Sequence, residues 1–464
     1  MNSALIRNVE LAGQGQVDVS VIEGSIHQIG PRLQARAALE IDGRGGALLP
    51  GLWDHHIHLF GLAAAMESVD VSPAAVGDAD GFAKALRTAA KAAASGAWLR
   101  AVGYDDAVAG PLERDTLDRL VADRPLRVQY RTGSLWALNS EAVRRLGPGP
   151  FPPGVQQSDG RLTGLVLRED GWLREQLGSV PPSLATVSRM LSRWGVTGVT
   201  DASATNDSTS AAAIARARRS GELRQRVILM SARPLEPSAD DAFDVGPWKI
   251  VLDDAHLPDP RQPAELIRDA HASGRAVGIH CVTAGELAVA LAAFAEGGVI
   301  PGDRIEHGGV IDADATSVIA ELGLTVVTQP VFVADRGDRY IAEVDPGDQA
   351  ALYPAASLLA AGVRVAGSSD APYGSADPWK GMRAAVSRLT AAGQALNLAE
   401  RVSPARALGL WLGHPNDPGG RSRKVEVGAP ADLCLMKAPL AEALDALSGE
   451  LVAATLVGGD LTFG

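Results

Sequence analysis

The sequence predicts an α/β protein: a (β/α)8 TIM-like barrel, a small β-sandwich built from both termini, and an insertion after the first barrel strand. Three observations lead there. Eight strand-like runs recur through the middle of the chain, with helical patterns between most of them, which is the rhythm of a parallel sheet with crossover helices. Both ends read instead as short strands parted by turn residues. The interval between the first two of the eight runs is also far too long for a single connection.

Taken in order, the N-terminal strands are expected at Ala4–Val9, Val17–Ile22, Ser25–Ile29 and Ala38–Ile41. The barrel strands follow at Ala47–His58, Val196–Ala202, Arg226–Met230, Trp248–Asp253, Ala276–Cys281, Arg304–Gly308, Thr325–Gln329 and Arg364–Ser369. Helical stretches such as Ala264–Ser273, Ala284–Glu296 and Ala313–Leu322 lie between them. The insertion, about residues 61–193, carries helical patterns at Asp80–Ser95, Leu117–Ala122 and Ser183–Trp194. It also has strand-like Trp98–Gly103 and Leu126–Tyr130, with a loop over Gly147–Gly154. It is expected to lie over the barrel mouth. The closing strands are Val425–Val427, Leu433–Met436, Leu451–Val457 and Leu461–Phe463. Residues 1–50 with 405–464 would form the sandwich and 51–404 the barrel.

Composition narrows the function. The chain has 464 residues, 46% hydrophobic and 21% charged, ordinary for a globular protein. A formal net charge of -12 lacks the basic footprint of a nucleic-acid or anionic-membrane binder. Only Cys281 and Cys434 are present, which argues against a disulfide framework and fits a reducing compartment. The start has no basic stretch followed by an apolar one, and no apolar run approaches the ~20 residues that span a bilayer. A cytoplasmic location is the expectation.

The chemistry begins at Pro50-Gly51-Leu52-Trp53-Asp54-His55-His56-Ile57-His58. Residues two apart in a strand point the same way, so His56 and His58 can offer two imidazoles to one ion. His55 should face away and pack. Such a pair alone is equally at home on a surface. The other candidates give it weight: Lys249 in the fourth run, His280 near the end of the fifth, His307 near the end of the sixth, and Asp370 after the eighth. Each has an ordinary reading, yet most should lie near one rim of a barrel, where barrel active sites sit; Lys249, early in its run, would need its long side chain to reach.

In this order, His-x-His, Lys, His, His, Asp, the chain resembles the amidohydrolase superfamily, and within it the branch containing N-substituted formamide deformylases. Further matching segments are Gly103-Tyr104-Asp105, Asn139-Ser140, Gly164-Leu165-Val166, Arg304 to His307, Gly367 to Pro372 and Gly428 to Leu433. The resemblance implies an enzyme with divalent metal, zinc foremost, at two ions per chain with one as the alternative. It implies that His56 and His58 hold the more buried metal. Lys249, carboxylated by carbon dioxide, would bridge to a second ion held by His280 and His307. Asp370 would ligate the first ion and take the proton of the attacking water. A lysine ammonium cannot ligate a cation, whereas a buried neutral amine can become a carbamate with two oxygens.

The implied reaction is hydrolysis of a C–N bond in a small amide, formamide or cyclic amide by metal-activated hydroxide, with Asp370 as general base and acid. Two other readings share the scaffold. A mononuclear deaminase of a ring amidine would lack the lysine and place an acid close after a histidine ligand; here the nearest after His280 is Glu286. A non-catalytic binding protein would be expected to have lost ligands.

Tyr104, Trp136, Gln329 and Tyr373 are the candidates for substrate contact, while Arg388 reads as a structural charge on a helix. The partner is a small molecule, with no nucleic acid or membrane, and a homodimer is compatible with this. The chain departs from the branch at Thr132-Gly133-Ser134, where relatives carry Asp-Gly-His. It departs again at Thr283-Ala284 in place of Gly-Asp, and at Asp254 in place of Gly.

Overall fold

The computed structural model describes residues 3–11, 15–35, 37–178 and 181–464. The chain divides into two compact units: residues 1–59 with 183–464, and residues 60–182.

In the first unit eight parallel strands run in chain order: Leu52–Ile57, Val196–Asp201, Arg226–Ser231, Asp244–Val251, Val277–Cys281, Arg304–His307, Thr325–Thr328 and Arg364–Gly367. Most of their residues are buried, as expected of strands covered on both faces. The first and last strands meet at the carboxyl-end rim, where Asp370 N donates to His56 O (2.8 Å) and His58 N to Ala371 O (2.9 Å). This is the nearly closed barrel that the sequence predicts.

Two strand starts differ from expectation by more than two residues. The fourth strand starts at Asp244, because Gly246-Pro247 sits inside it; such residues normally interrupt strands. Gly246 is required there, since a Cβ would lie 2.5 Å from Ile228 Cγ2. The expected first run is two strands: Leu48–Pro50 joins a terminal sheet and Leu52–Ile57 the barrel. Gly51 marks the change, pressed so closely on Thr197 that any side chain would collide with it.

The terminal strands form two four-stranded sheets. One contains Ser25–Gly30, Gly15–Ile22, Ser3–Leu11 and Leu39–Asp42. The other contains Asp460–Phe463, Val452–Val457, Leu433–Met436 and Leu48–Pro50. They share a core that includes Ile6, Val19, Val21, Leu48, Leu433 and Leu456. Val425–Val427 is not a strand. Gly428 adopts φ +88° and Ala429 N donates to Glu426 O, which turns the chain. Val425 is buried in the sandwich core and Val427 is 61% exposed.

The second unit has its own six-stranded sheet, in the order Val155–Ser158, Arg161–Leu167, Leu135–Leu138, Leu126–Tyr130, Leu99–Tyr104 and Val69–Asp70. One face packs on helices Ala79–Ala92 and Arg114–Leu120 through Phe82, Leu86 and Leu117. Trp136, Leu138, Val166 and Leu173 form a separate cluster. Among the described residues no helix is long and apolar enough to cross a membrane.

Candidate metal centre

The site grows from the end of the first barrel strand. Asp54 is fully buried, and its Oδ1 accepts from His56 N (3.2 Å) and from Ser369 N (3.0 Å). It thereby ties the histidine strand to the segment that carries Asp370. Burial pushes the Asp54 carboxyl up to about 7.

Four imidazoles converge. Ring centroids are 5.3 Å apart for His56 and His58, 4.7 Å for His56 and His307, and 4.5 Å for His280 and His307. Asp370 lies among three of them: Oδ1 is 3.1 Å from His58 Nε2 and 3.4 Å from His56 Nε2, and Oδ2 is 3.9 Å from His307 Nδ1. Ligand atoms of His56, His307 and Asp370 all fall within 4.8 Å of one another. His307 and Asp370 have left-handed backbones, φ +72° and +53°. Each such residue costs about 1–3 kcal/mol, and this kind of strain gathers at functional sites.

Three of these rings are held from behind. His56 Nδ1 is 2.5 Å from Glu306 Oε2, His58 Nδ1 2.8 Å from Ser203 Oγ, and His307 Nδ1 2.9 Å from Gln329 Oε1. A carboxylate only accepts, so His56 donates through Nδ1 and keeps the Nε2 lone pair for a cation. Glu306 in turn accepts from Arg304 Nε at 2.6 Å inside the barrel. Burial pushes the Glu306 carboxyl up, but Arg304, Lys249 and His56 outweigh it and hold the group well below the ordinary carboxylate range. Burial likewise raises Asp370, and the His58 hydrogen bond with the surrounding imidazoles reverses it, leaving the carboxyl anionic.

Lys249 stands near the end of its strand rather than early in it, and is 3% exposed. Among the described residues its buried Nζ has no hydrogen-bond partner. Burial lowers its pKa, and its charge reaches His56, His280 and His307. An orphaned amine beside convergent imidazoles and an anionic carboxylate fits a divalent cation, and it fits carboxylation of the amine as well.

The four residues expected at substrate have different surroundings. The Tyr373 ring packs edge-on to His58 at 5.6 Å and stays partly exposed. Gln329 is fully buried, with one amide end on His307 and the other donating to Ser368 Oγ (2.9 Å); it supports a histidine. Tyr104 is fully buried in the second unit's core, between Phe82 and Tyr130, and donates to Gly110 O. Trp136, 3% exposed in the same unit, donates to Asp170 Oδ1 at 2.7 Å.

His55 is buried, 6.5 Å from the Trp53 ring, and neither of its ring nitrogens is bonded among the described residues. Arg388 caps the carbonyls of Leu396, Tyr353 and Leu352. Two departures from the family pattern meet, because Thr283 Oγ1 donates to Asp254 Oδ1 (2.7 Å). Thr283 also opens the following helix in a capping box with Glu286. At the third departure, the Ser134 and Thr132 hydroxyls lie 3.0 Å apart. Sequence reasoning missed Glu306. Strand alternation opposes using both it and His307 on the barrel's inner side, and only the left-handed backbone at His307 allows it.

A family model described as the amidohydrolase family matches residues 39–463. The N-substituted formamide deformylase of Arthrobacter pascens is 25% identical, covering 99% of this chain and 97% of its own length. The putative amidohydrolase YtcJ of Bacillus subtilis (strain 168) is 26% identical, covering 79% of this chain and 78% of its own. Among solved structures, an uncharacterized metal-dependent hydrolase from Pyrococcus horikoshii OT3 is similar with TM-score 0.75 and 18% identity, over 94% of this chain and 97% of that one.

Proposed function

The chain belongs to the amidohydrolase family, and from that premise we propose that it hydrolyses the C–N bond of a small amide, formamide or cyclic amide at a two-metal centre. It is a metal-dependent hydrolase acting on carbon–nitrogen bonds; the substrate class, the second ion and the residue roles belong to the proposal. One observation carries it: the buried, unpartnered amine of Lys249 in the field of His56, His280 and His307.

In this reading His56, His58 and Asp370 would hold one ion and His280 and His307 a second, with a carboxylated Lys249 supplying further oxygen ligands. Imidazole-rich sets suit zinc. The metal, when bound, polarises a carbonyl and lowers the pKa of water toward about 7. Asp370, held anionic by its imidazole neighbours, accepts the proton of the attacking water. The water oxygen bonds to the carbonyl carbon, and Asp370 passes the proton to the departing nitrogen as the C–N bond breaks. Glu306, Ser203 and Gln329 hold the rings of His56, His58 and His307 in place. Tyr373, beside His58, supplies an aromatic wall for substrate. The deformylase relative suits a formamide among the candidate amides.

The deaminase alternative needs a free acid close after His280. The Glu286 carboxylate instead accepts from Val282 N (2.7 Å) and Thr283 N (3.0 Å) to cap a helix, which favours amide hydrolysis.

The test is metal content per chain in protein purified without chelator, followed by a screen of formamides, acyl amides and cyclic amides. About two ions and turnover on one of these classes are expected, with Asp370→Asn keeping its fold and losing at least 100-fold in kcat. A chain with no metal, inert toward all three classes after zinc, manganese or cobalt is added, would sink the proposal.

A further inference from the structure

The second unit carries a cluster of charge that the metal centre does not use. In its sheet, Leu99, Ala101, Leu126 and Val128 belong to the core packed on the helices, so alternation sends Arg100 and Arg127 to the opposite face. The two are direct partners in the register of neighbouring parallel strands. Like charges side by side destabilise a sheet.

Both guanidiniums lean on indole. Arg127 Cζ is 5.1 Å from the Trp136 ring and 5.9 Å from Trp98, and Arg100 Cζ is 5.3 Å from Trp136. Arg100 also reaches Gln129 Oε1 at 3.4 Å. The Arg127 side chain makes no ion pair and no hydrogen bond among the described residues, and its Nε is buried. The nearby Asp170 carboxylate takes the Trp136 indole N–H. Burial, and then Arg100, push the Arg127 guanidinium down to about 10. A half-buried cation of this kind, attracted by Asp170 without a hydrogen bond to it, can take a further anion, and it stands out in a chain of net charge -12.

We infer that this face of the second unit binds a small aromatic carboxylate, its two oxygens on the Arg127 fork and its ring along Trp98. The planar guanidinium matches a carboxylate with two parallel hydrogen bonds. Indole already backs the guanidinium, which orients the fork before the ligand arrives. Trp98 is partly exposed and offers a flat apolar surface for a ring. Inference and metal centre are independent, since they use different residues of different units.

The experiment is calorimetric titration of the whole protein with sodium benzoate, and with benzamide as an uncharged match in shape. Saturable benzoate binding is expected, with benzamide at least 10-fold weaker. Arg127→Met should weaken benzoate at least 10-fold while circular dichroism and Tm stay near wild type. Should the methionine variant fail to fold, Arg127→Lys, which keeps the charge and loses the fork, is expected to bind about fivefold more weakly. The inference is overturned by the absence of saturable benzoate binding, or by benzamide binding as tightly. It is overturned equally by Arg127 variants that bind benzoate as the wild type does, since the carboxylate would then sit elsewhere, such as at the metal.

Discussion

His56 Nδ1 lies 2.5 Å from Glu306 Oε2, in a pair that is at most 1% exposed and is continued by Arg304 Nε on Glu306 Oε1. The line runs from the barrel interior to the candidate metal centre. Removing the charge at its middle should be felt at both ends. Glu306→Gln is expected to lower metal affinity 10–100-fold, the usual effect of losing a partner behind a ligand. It should also cost about 3–5 kcal/mol of stability by leaving Arg304 buried and unpaired. Chelator competition and urea unfolding measure the two effects; unchanged metal affinity would remove Glu306 from any support of His56.

Lys249→Ala removes an amine that has no hydrogen-bond partner among the described residues. Were the lysine only a packing residue, metal content would be unchanged. With a bridging carbamate, the variant is expected to lose much of its metal and to regain part of it, with activity, in millimolar formate or acetate. Elemental analysis with and without the acid reads this directly, and full metal retention counts against the bridge.

Thr283 caps the helix Ala284–Gly297 and bonds to Asp254. Thr283→Ala should cost about 1 kcal/mol through the lost cap. Because Asp254 loses its partner in the same stroke, Asp254→Ala is expected to be less costly in the Thr283→Ala background than in wild type. A double-mutant cycle by thermal unfolding checks the coupling; strict additivity would mean that the two departures from the family pattern act independently.

Both thiols are buried. Burial pushes Cys434 up to about 12 and Cys281 well above its ordinary value. The thiolate is the reactive form, and ionisation here requires a pH above the raised pKa. Native protein at pH 8 is therefore expected to resist iodoacetamide, with both cysteines alkylated only after unfolding. Mass spectrometry of native and denatured samples distinguishes the two cases.

Much of the site was legible because its carriers obey local rules. His56 lies at the end of the first barrel strand with His58 just past it, and His280, His307 and Asp370 come at or just after the ends of strand-like runs. The supports were not legible. Glu306 precedes His307 and should point away from it by alternation, and only the φ of +72° at His307 overrides this. Gln329 read as a substrate contact because its strand ends at the mouth, but both of its amide ends are taken by His307 and Ser368. Tyr104 carries a motif of the family pattern, yet strand order inside the insertion buries it in a separate core.

The eight-stranded barrel was thus determined by the sequence itself. Apolar runs, turn residues and histidine spacing are local properties, and burial on both faces of a parallel sheet demands them along the whole strand. Tertiary structure alone decided which side chain stands behind which histidine, that Thr283 meets Asp254, and that Arg127 lies desolvated between two indoles. Those relations join residues far apart in the chain or turn on a single backbone angle, and neither periodicity nor composition carries information about them.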